Sequence, residues 1–288
     1  MKLHCDTDDP GREGRESSAG DLTEIARTVR LDILSMIRGA GSGHPGGSFS
    51  AVEILVELYW EVLRIHPEDP AWAARDRFVL SKGHACPALY SVLARRGYFD
   101  PSQLCTFRKL GSRLQGHPNM EHLPGLDAST GSLGQGLSIS CGMALGLRLD
   151  GLDSRVFCLL GDGELQEGSV WESAMSASQF GLNRLTAIVD RNRVQLDDRV
   201  SAVMEIEPLA DKWLAFGWDV IVADGHSFAS MKKAFEHCAG SPFPSVIIAD
   251  TLKGRGVSFM EGSAAWHGRC PDDSEYAAAV AEIEGGLT

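Results

Sequence analysis

The sequence lacks long apolar runs and an excess of basic residues. No stretch approaches the roughly 20 apolar residues of a membrane-spanning helix, and residues 1 to 20 are polar, charged and glycine-rich, unlike a signal peptide. Lys and Arg number 27 against 39 Asp and Glu, which gives a formal net charge of -12. We therefore expect neither a nucleic-acid nor a membrane partner, because both select a basic face. A local basic pocket for a phosphorylated ligand is compatible with this charge.

The seven cysteines are scattered, odd in number and form no CxxC pair. This pattern excludes a disulfide framework and a zinc knuckle. It is typical of a reducing compartment, and we expect a cytoplasmic protein. The cysteines lie at positions 5, 86, 105, 141, 158, 238 and 270.

The 288 residues, with 43% hydrophobic and 23% charged, suffice for one large α/β domain. Short apolar runs alternate with segments of helical spacing, which predicts a doubly wound parallel sheet with helices on both faces. We predict a disordered leader over residues 1–20 and one domain over 21–288. Predicted strands are 77–80, 156–160, 185–190, 220–223 and 246–249. Predicted helices are 21–39, 50–65, 87–96, 137–149, 168–180, 209–216 and 228–238. A glycine-rich loop that carries His44 is predicted over 40–47, and a loop over 111–136 carries no clear element.

The chain carries Gly161-Asp162-Gly163 at the end of one predicted strand, and Asn192 thirty positions after Asp162 at the end of the next. The intervening helix makes this a βαβ unit, so both strand ends lie at the carboxyl edge of the sheet. A carboxylate and an amide suit a hard cation such as Mg²⁺, and the glycines let backbone N–H groups approach phosphate oxygens. Gly-Asp-Gly alone is equally typical of an ordinary strand-to-helix turn. The strand context and the second oxygen ligand favour the metal site.

Four histidines, His44, His84, His117 and His267, stand next to glycine. A single histidine is most often a capping or hydrogen-bonded surface residue. Glycine beside histidine permits close packing of backbone and ligand, which an ordinary surface does not need. We therefore interpret the four together as candidate functional residues.

These motifs resemble those of the thiamine-diphosphate enzymes, and within them the N-terminal subunit of transketolases that are split over two chains. The resemblance covers roughly residues 21 to 285 and lies in five motifs in the family order. They are Ser42-Gly43-His44-Pro45-Gly46-Gly47, Ser81-Lys82-Gly83-His84-Ala85, Thr130-Gly131-Ser132-Leu133-Gly134-Gln135-Gly136, the run Gly161 to Gly168 with Trp171-Glu172, and Lys253 to Met260 with Trp266-His267-Gly268.

The resemblance implies a thiamine-diphosphate-binding fold and assigns a role to each candidate residue. Asp162 and Asn192 would give side-chain oxygens, and Val194 a backbone carbonyl, to Mg²⁺ or Ca²⁺. The amide of Gly163 and the imidazoles of His84 and His267 would contact the diphosphate, while Gly131, Ser132 and Leu133 line the cofactor. The sugar-facing residues, expected to assist proton transfers, are His44, His117 and His267.

By the same resemblance, the pyrimidine-binding half of the site belongs to a second domain. The sequence ends at Thr288, right after the first domain. We therefore expect a separately encoded C-terminal transketolase subunit, with two copies of each chain in a heterotetramer. The expected reaction moves a two-carbon ketol unit from a ketose donor to an aldose acceptor, on phosphorylated sugars.

Three alternatives stay open. One is a subunit that acts on a modified sugar or an unusual acceptor, which Arg193 allows, since family members usually have Gly after the metal-binding Asn. Another is a non-catalytic regulatory or scaffold copy, which a lost metal ligand or histidine would support; none is lost. A dehydrogenase-type subunit is the third, and the motifs around His44 and His267 favour transketolase over it.

We interpret the other polar residues in and near these motifs as structural and not as site residues. Asp190 and Asp197 are expected to be solvated or capping. Glu164 and Glu167 are expected to favour the positive end of a helix dipole, and His226 to be structural. A partner-facing apolar surface is expected around residues 111–136 and 166–180, including Leu133, Val170, Trp171 and Met175.

Overall fold

A computed structural model describes residues 19–286. Helix α1 begins at Ala19, so it takes in the last two residues of the predicted leader; the rest of that range lies outside the described residues. The ten α-helices of the described residues are α1 (Ala19–Ala40), α2 (Pro45–Phe49), α3 (Val52–Glu57), α4 (Cys86–Arg95), α5 (Gln135–Leu149), α6 (Gly168–Gln179), α7 (Val200–Val203), α8 (Leu209–Ala215), α9 (Phe228–Gly240) and α10 (Asp273–Glu284).

The five predicted strands are confirmed and form one parallel sheet of order β1-β2-β3-β5-β4. Residue Gly161 pairs with Asp190 at the carboxyl edge, which places the ends of β2 and β3 side by side as predicted. The strands are β1 (Arg77–Leu80), β2 (Val156–Gly161), β3 (Leu185–Arg191), β4 (Asp219–Asp224) and β5 (Ser245–Asp250).

Each face of the sheet carries its own hydrophobic core, because successive side chains of a strand point to opposite faces. Leu159 packs into the core with α1, α3, α4, α9 and α10, whereas Leu160 packs into the core with α5, α6 and α8. Strands buried on both faces read as unbroken apolar runs, which is why they were visible in the sequence.

The strand order explains the position of α9. The chain moves from β1 through β3 to the edge strand β4 and then returns to β5, between β3 and β4. Because crossovers between parallel strands are right-handed, the returning helix α9 lies on the opposite face from α6 and α8.

Three local predictions are corrected. The helix predicted over 50–65 is α3 followed by a π-helical turn, Leu58–Val62, and ends at that turn. The loop predicted over 40–47 contains the start of α2, with Pro45 at its first turn. Val170 is fully buried in the core that α5, α6 and α8 form with the sheet, so it is not part of a partner-facing surface. Met175 is exposed.

The segment 111–134 contains only turns and bends, as predicted. It is held by three leucines whose side chains are buried, Leu114, Leu123 and Leu126. Among the described residues, no helix is both long and apolar enough to cross a membrane.

Candidate functional site

Four loops at the carboxyl edge of the sheet deliver polar side chains to one place. The loop after β1 carries Lys82 and His84, the loop after β2 carries Asp162, Asn192 follows β3, and Lys253 follows β5. In an open parallel sheet this edge is where ligands bind.

Three of the predicted histidines form a cluster there. The ring centroids of His44 and His84 lie 5.3 Å apart, those of His44 and His267 5.4 Å, and those of His84 and His267 5.2 Å. Gly47 on α2 permits this approach, because a Cβ there would lie 3.1 Å from His84 Nε2. The structure therefore brings together residues from three distant parts of the sequence.

The clustered imidazoles are held in their neutral form. Burial lowers the pKa of His44 to about 4, with further lowering by the charge of Arg108. Burial and the Lys253 ammonium lower the pKa of His267 to about 3, and burial and Lys82 hold the pKa of His84 well below its usual range. Each ring consequently offers one N–H donor and one acceptor nitrogen at neutral pH.

Two buried lysines lie beneath this cluster. Lys82 Nζ donates to Gly47 O at 2.9 Å and to the Asp190 carboxylate. Lys253 Nζ donates to Val194 O at 2.8 Å and to His267 Nδ1 at 2.9 Å. Burial and the neighbouring Lys82 lower the pKa of Lys253 to about 8.

Asp190 is a correction, because it is neither solvated nor a cap. Its carboxylate is fully buried and accepts hydrogen bonds from Lys82, from Ser50 Oγ at 2.6 Å and from Thr251 Oγ1. Burial acts to raise the pKa of Asp190, but the Lys82 charge and the hydrogen bonds from Lys82, Ser50 and Thr251 together more than offset it, so the pKa lies below its ordinary value. The buried ion pair between Lys82 and Asp190, with the two hydroxyl hydrogen bonds to Asp190, thus holds Lys82 in place beneath α2.

The predicted metal donors lie on the adjacent ends of β2 and β3. Asp162 accepts from Gly163 N at 2.9 Å and from Arg193 N at 2.5 Å. Asn192 Oδ1 accepts from Val194 N at 3.1 Å. Burial and the nearby Asp190 raise the pKa of Asp162 to about 6.

Glu164 is also a correction, because it does not simply face the positive end of a helix. Its buried carboxylate accepts from Gly134 N at 2.8 Å, from Gly161 N at 3.0 Å and from Ser81 Oγ. It therefore ties together the loops that follow β1 and β2 and the loop that precedes α5. Burial raises the pKa of Glu164, and these hydrogen bonds oppose that effect.

His117 and the loop Gly131 to Leu133 lie at the side of the cluster. A Cβ on Gly131 would meet the His117 ring at 3.2 Å, and a Cβ on Gly83 would meet Gly131 N at 2.9 Å. The surface of His117 is largely open to solvent. Partial desolvation of its ring by neighbouring residues, and then the charge of Arg108, lower its pKa. Ser132 is exposed and Leu133 half-buried, so both are accessible from this side.

This chain matches the family model described as transketolase, thiamine diphosphate binding domain, over residues 22–283. The chain belongs to this family. The predicted family, fold class and enzyme class are therefore confirmed, and thiamine diphosphate is the ligand for which the domain is named.

Two relatives of the transketolase domain match it over most of their own length. The 6-deoxy-6-sulfo-D-fructose transketolase subunit SqwG of Clostridium sp. (strain MSTE9) is 43% identical over 92% of this chain and 96% of that protein. An apulose-4-phosphate transketolase subunit of Phocaeicola vulgatus is 40% identical over 88% of this chain and 90% of that protein.

Other transketolases are longer than this domain. Human transketolase is 43% identical over 86% of this chain but only 40% of its own length. The crystal structure of Campylobacter jejuni transketolase superposes with a TM-score of 0.86 at 34% identity, over 91% of this chain and 42% of that one. The chain thus spans about two fifths of these two proteins.

Four site residues were missed or misjudged from sequence: Lys82, Lys253, Asp190 and Glu164. The two lysines stand inside the family motifs, and their burial, at 1% and 2% exposure, is the signal that marks them. A lysine is almost never fully buried without a partner. The partners of Lys82 and Lys253 are distant in the sequence, and only the fold shows that they meet at one edge of the sheet.

Proposed function

We propose that this chain is the diphosphate-binding subunit of a two-chain transketolase that moves a two-carbon ketol unit from a ketose donor to an aldose acceptor. The observation that carries the proposal is the convergence of His44, His84 and His267 with two buried ammonium groups at one sheet edge. The two relatives of similar length are named as subunits, which supports a separately encoded pyrimidine-binding partner. We further propose two copies of each chain and a cytoplasmic location.

The residues at this edge fit a divalent cation. Asp162, Asn192 and the Val194 carbonyl offer only oxygen atoms, the donor type that Mg²⁺ and Ca²⁺ prefer. Asp162 is 2% exposed, and its hydrogen bonds come from backbone N–H groups. A cation would therefore compensate a carboxylate whose pKa is raised by burial. Among the described residues no cluster of three His, Cys, Asp or Glu side chains could hold a metal, so binding would depend on this mixed set.

The same edge fits a diphosphate. His84 and His267 are proposed to donate to its oxygens, and Lys82 and Lys253 supply positive charge in a chain that is otherwise strongly acidic. The Gly163 N–H lies at this strand end without a side chain to block it. Next to it, Gln195 Oε1 is buried and lacks a hydrogen-bond partner among the described residues. Because a diphosphate also carries only acceptor oxygens, this orphaned acceptor fits the divalent cation, or a water bound to it, and not the diphosphate itself.

The neutral imidazoles suit the proton transfers of ketol exchange. Thiamine diphosphate, when bound, supplies the electron sink for cleaving a carbon–carbon bond beside a ketose carbonyl. His44 and His117 are proposed to bind sugar hydroxyls and to accept and return protons, because a neutral ring can do both. Lys253 donates to Nδ1 of His267, which leaves the proton of that ring on Nε2.

A modified sugar is the second candidate substrate class. The relatives that match over nearly full length are named for 6-deoxy-6-sulfo-D-fructose and apulose 4-phosphate. Both names describe anionic sugars outside the common set. We therefore include a sulfonated and a phosphorylated ketose among the donors to be assayed. A non-catalytic copy is not favoured, because every predicted metal donor and histidine is present.

Replacing Asp162 tests the site. Asp162→Ala, in the complex with the partner subunit, is expected to abolish Mg²⁺-dependent thiamine diphosphate binding in calorimetry. Asp197→Ala is the matched control, since Asp197 is an exposed carboxylate of the neighbouring loop after β3, which carries Asn192, and should leave the affinity unchanged. Unchanged affinity in Asp162→Ala would contradict the assignment.

A further inference from the structure

A buried charged cluster lies outside the site, between α1, α3 and the turn after β4. Arg30 and Glu53 are 0% and 4% exposed, and Arg30 Nη1 lies 2.7 Å from Glu53 Oε1. His226 Nδ1 lies 2.9 Å from Glu53 Oε2. Burial acts to raise the pKa of Glu53, but Arg30 and then His226 more than offset it and lower that pKa to about 2. The carboxylate is therefore charged and shared between two partners.

Both ends of this cluster bind the backbone on either side of Lys253. The Leu252 N–H donates to His226 Nε2 at 2.8 Å. Arg30 Nε donates to Arg255 O at 2.9 Å. Since His226 Nε2 accepts a hydrogen bond, Nδ1 carries the ring proton and donates to Glu53. Hydrogen bonds thus hold the segment that carries Lys253 at the residue before this lysine and at the second residue after it.

The surrounding backbone is shaped for the same contact. A Cβ at Gly225 would lie 2.4 Å from Thr251 Cγ2, so glycine lets the turn before His226 pack on the loop after β5. Gly254 N donates to Gly46 O at 3.0 Å, which joins the same segment to the loop that carries His44. Movement of this segment would therefore displace both Lys253 and the histidine cluster.

We propose that Arg30, Glu53 and His226 form a clamp that positions Lys253 against the cofactor diphosphate. This inference rests on the proposed function, because that function places Lys253 at the diphosphate. His226 is a positioning residue in this scheme, since it acts through Leu252 N and the Lys253 segment and not on the ligand. The Lys253 ammonium donates to Val194 O and to His267 Nδ1, beside the groups proposed to bind the cation and the diphosphate, and the clamp would hold the backbone of Lys253 at this place.

A buried ion pair is weak evidence for a stabilising role, because desolvation of both charges offsets much of their attraction. If the cluster is a clamp, a variant that weakens it should lose more affinity for thiamine diphosphate than a control variant with an equal loss of folding stability. Arg30 is a poor probe, since its removal leaves a buried carboxylate unpaired. His226 can be replaced without leaving a charge unpaired.

His226→Ala is expected to weaken thiamine diphosphate binding about tenfold, the scale of losing a supporting residue behind a ligand-binding group. His226→Gln should restore most of the affinity, because its amide keeps one donor and one acceptor. His237→Ala, an exposed histidine on α9, controls for loss of an imidazole. Leu147→Ala, in the opposite core, controls for lost stability. Binding is measured by calorimetry with Mg²⁺ on the full-length chain in complex with the partner subunit.

A double-mutant cycle decides whether His226 acts through Lys253. Lys253→Ala should weaken binding, and His226→Ala should add no further loss in that background. Equal losses in both backgrounds, or a His226→Ala loss no larger than that of Leu147→Ala, would overturn the clamp while leaving the proposed function intact. Unchanged affinity in Lys253→Ala would overturn the diphosphate role of Lys253 and the clamp with it. Should His226→Ala fail to fold, His226→Asn, whose shorter amide keeps one of the two contacts, replaces it in the cycle.

Discussion

His117 differs from the other three site histidines in its surroundings. It is exposed and packs beside Gly131, at the side of the cluster formed by His44, His84 and His267. His117→Ala is therefore expected to spare cofactor affinity and to lower kcat/KM by roughly ten- to a thousandfold, the scale of losing one acid–base or polar contact. Calorimetry with thiamine diphosphate and steady-state kinetics on one preparation separate the two effects. Loss of cofactor binding with normal sugar kinetics would reverse the assignment.

Arg193 contributes to the site in a way that its residue type alone does not indicate. The sequence shows only that an arginine stands where family members usually have Gly. Its guanidinium lies 2.8 Å from Asp250 Oδ1 and its side chain is 56% exposed, while its backbone N–H donates to Asp162. Its φ of 63° lies in the left-handed region, where glycine is favoured. The backbone of Arg193, and not its charge, therefore contributes to the site.

The candidate residues found from sequence share one property: each stands in a glycine-rich motif at a strand end. Asp162, Asn192 and His84 could be placed at a common edge because parallel strands end together. Asp190 could not be judged in this way, since its burial depends on Lys82, which lies 108 positions away in the sequence. Long-range charge pairing of this kind leaves no local pattern.

At the scale of elements, the packing of α3 leaves one carboxyl group in an unfavourable place. Glu57 is 1% exposed, and its Oε1 has no hydrogen-bond partner among the described residues. Burial and the nearby Glu61 raise the pKa of Glu57 to about 7, and Lys232 on α9 offsets only part of this. The ionised form therefore weakens the fold, and protonation relieves it.

Glu57→Gln is accordingly expected to stabilise the chain at pH 8 by about 1 to 2 kcal/mol. The folded pKa is above the unfolded one, so the unfavourable contribution is full above about pH 7 and fades as pH falls toward the ordinary value of 4.5. Urea unfolding of both proteins between pH 5 and pH 8 measures this trend. Glu172→Gln on the exposed side of α6 is the control. A stability difference that does not change with pH would contradict the explanation.

The elements themselves were largely predictable. All five strands were located from sequence. Four of them, β1, β2, β3 and β5, are buried almost throughout and give unbroken apolar runs, whereas the partly exposed edge strand β4 was located from its own apolar run. The π-helical turn after α3 and the short helix α2 were missed, because neither has a distinctive periodicity. The π-helical turn packs into the core beneath α1, and α2 packs beside His84. The local sequence encodes neither of these contacts.

At the scale of the whole molecule, charge is divided between surface and site. The chain carries a formal net charge of -12, yet two lysines are buried at the edge that binds the diphosphate in our proposal. An anionic ligand is thus offered a local cationic site on an acidic protein. The exposed apolar side chains Met175 and Phe180 on and after α6 are compatible with a partner subunit on that side.

The central claim is that this chain supplies only the diphosphate-binding half of a ketol-transfer site. The most direct measurement is ketol transfer from a ketose donor to an aldose acceptor, with Mg²⁺ and thiamine diphosphate, by the purified chain alone and by the chain mixed with the pyrimidine-binding subunit. Our account predicts no turnover by the chain alone and robust turnover by the mixture, which Asp162→Ala abolishes. Robust turnover by this chain without any other polypeptide would contradict it.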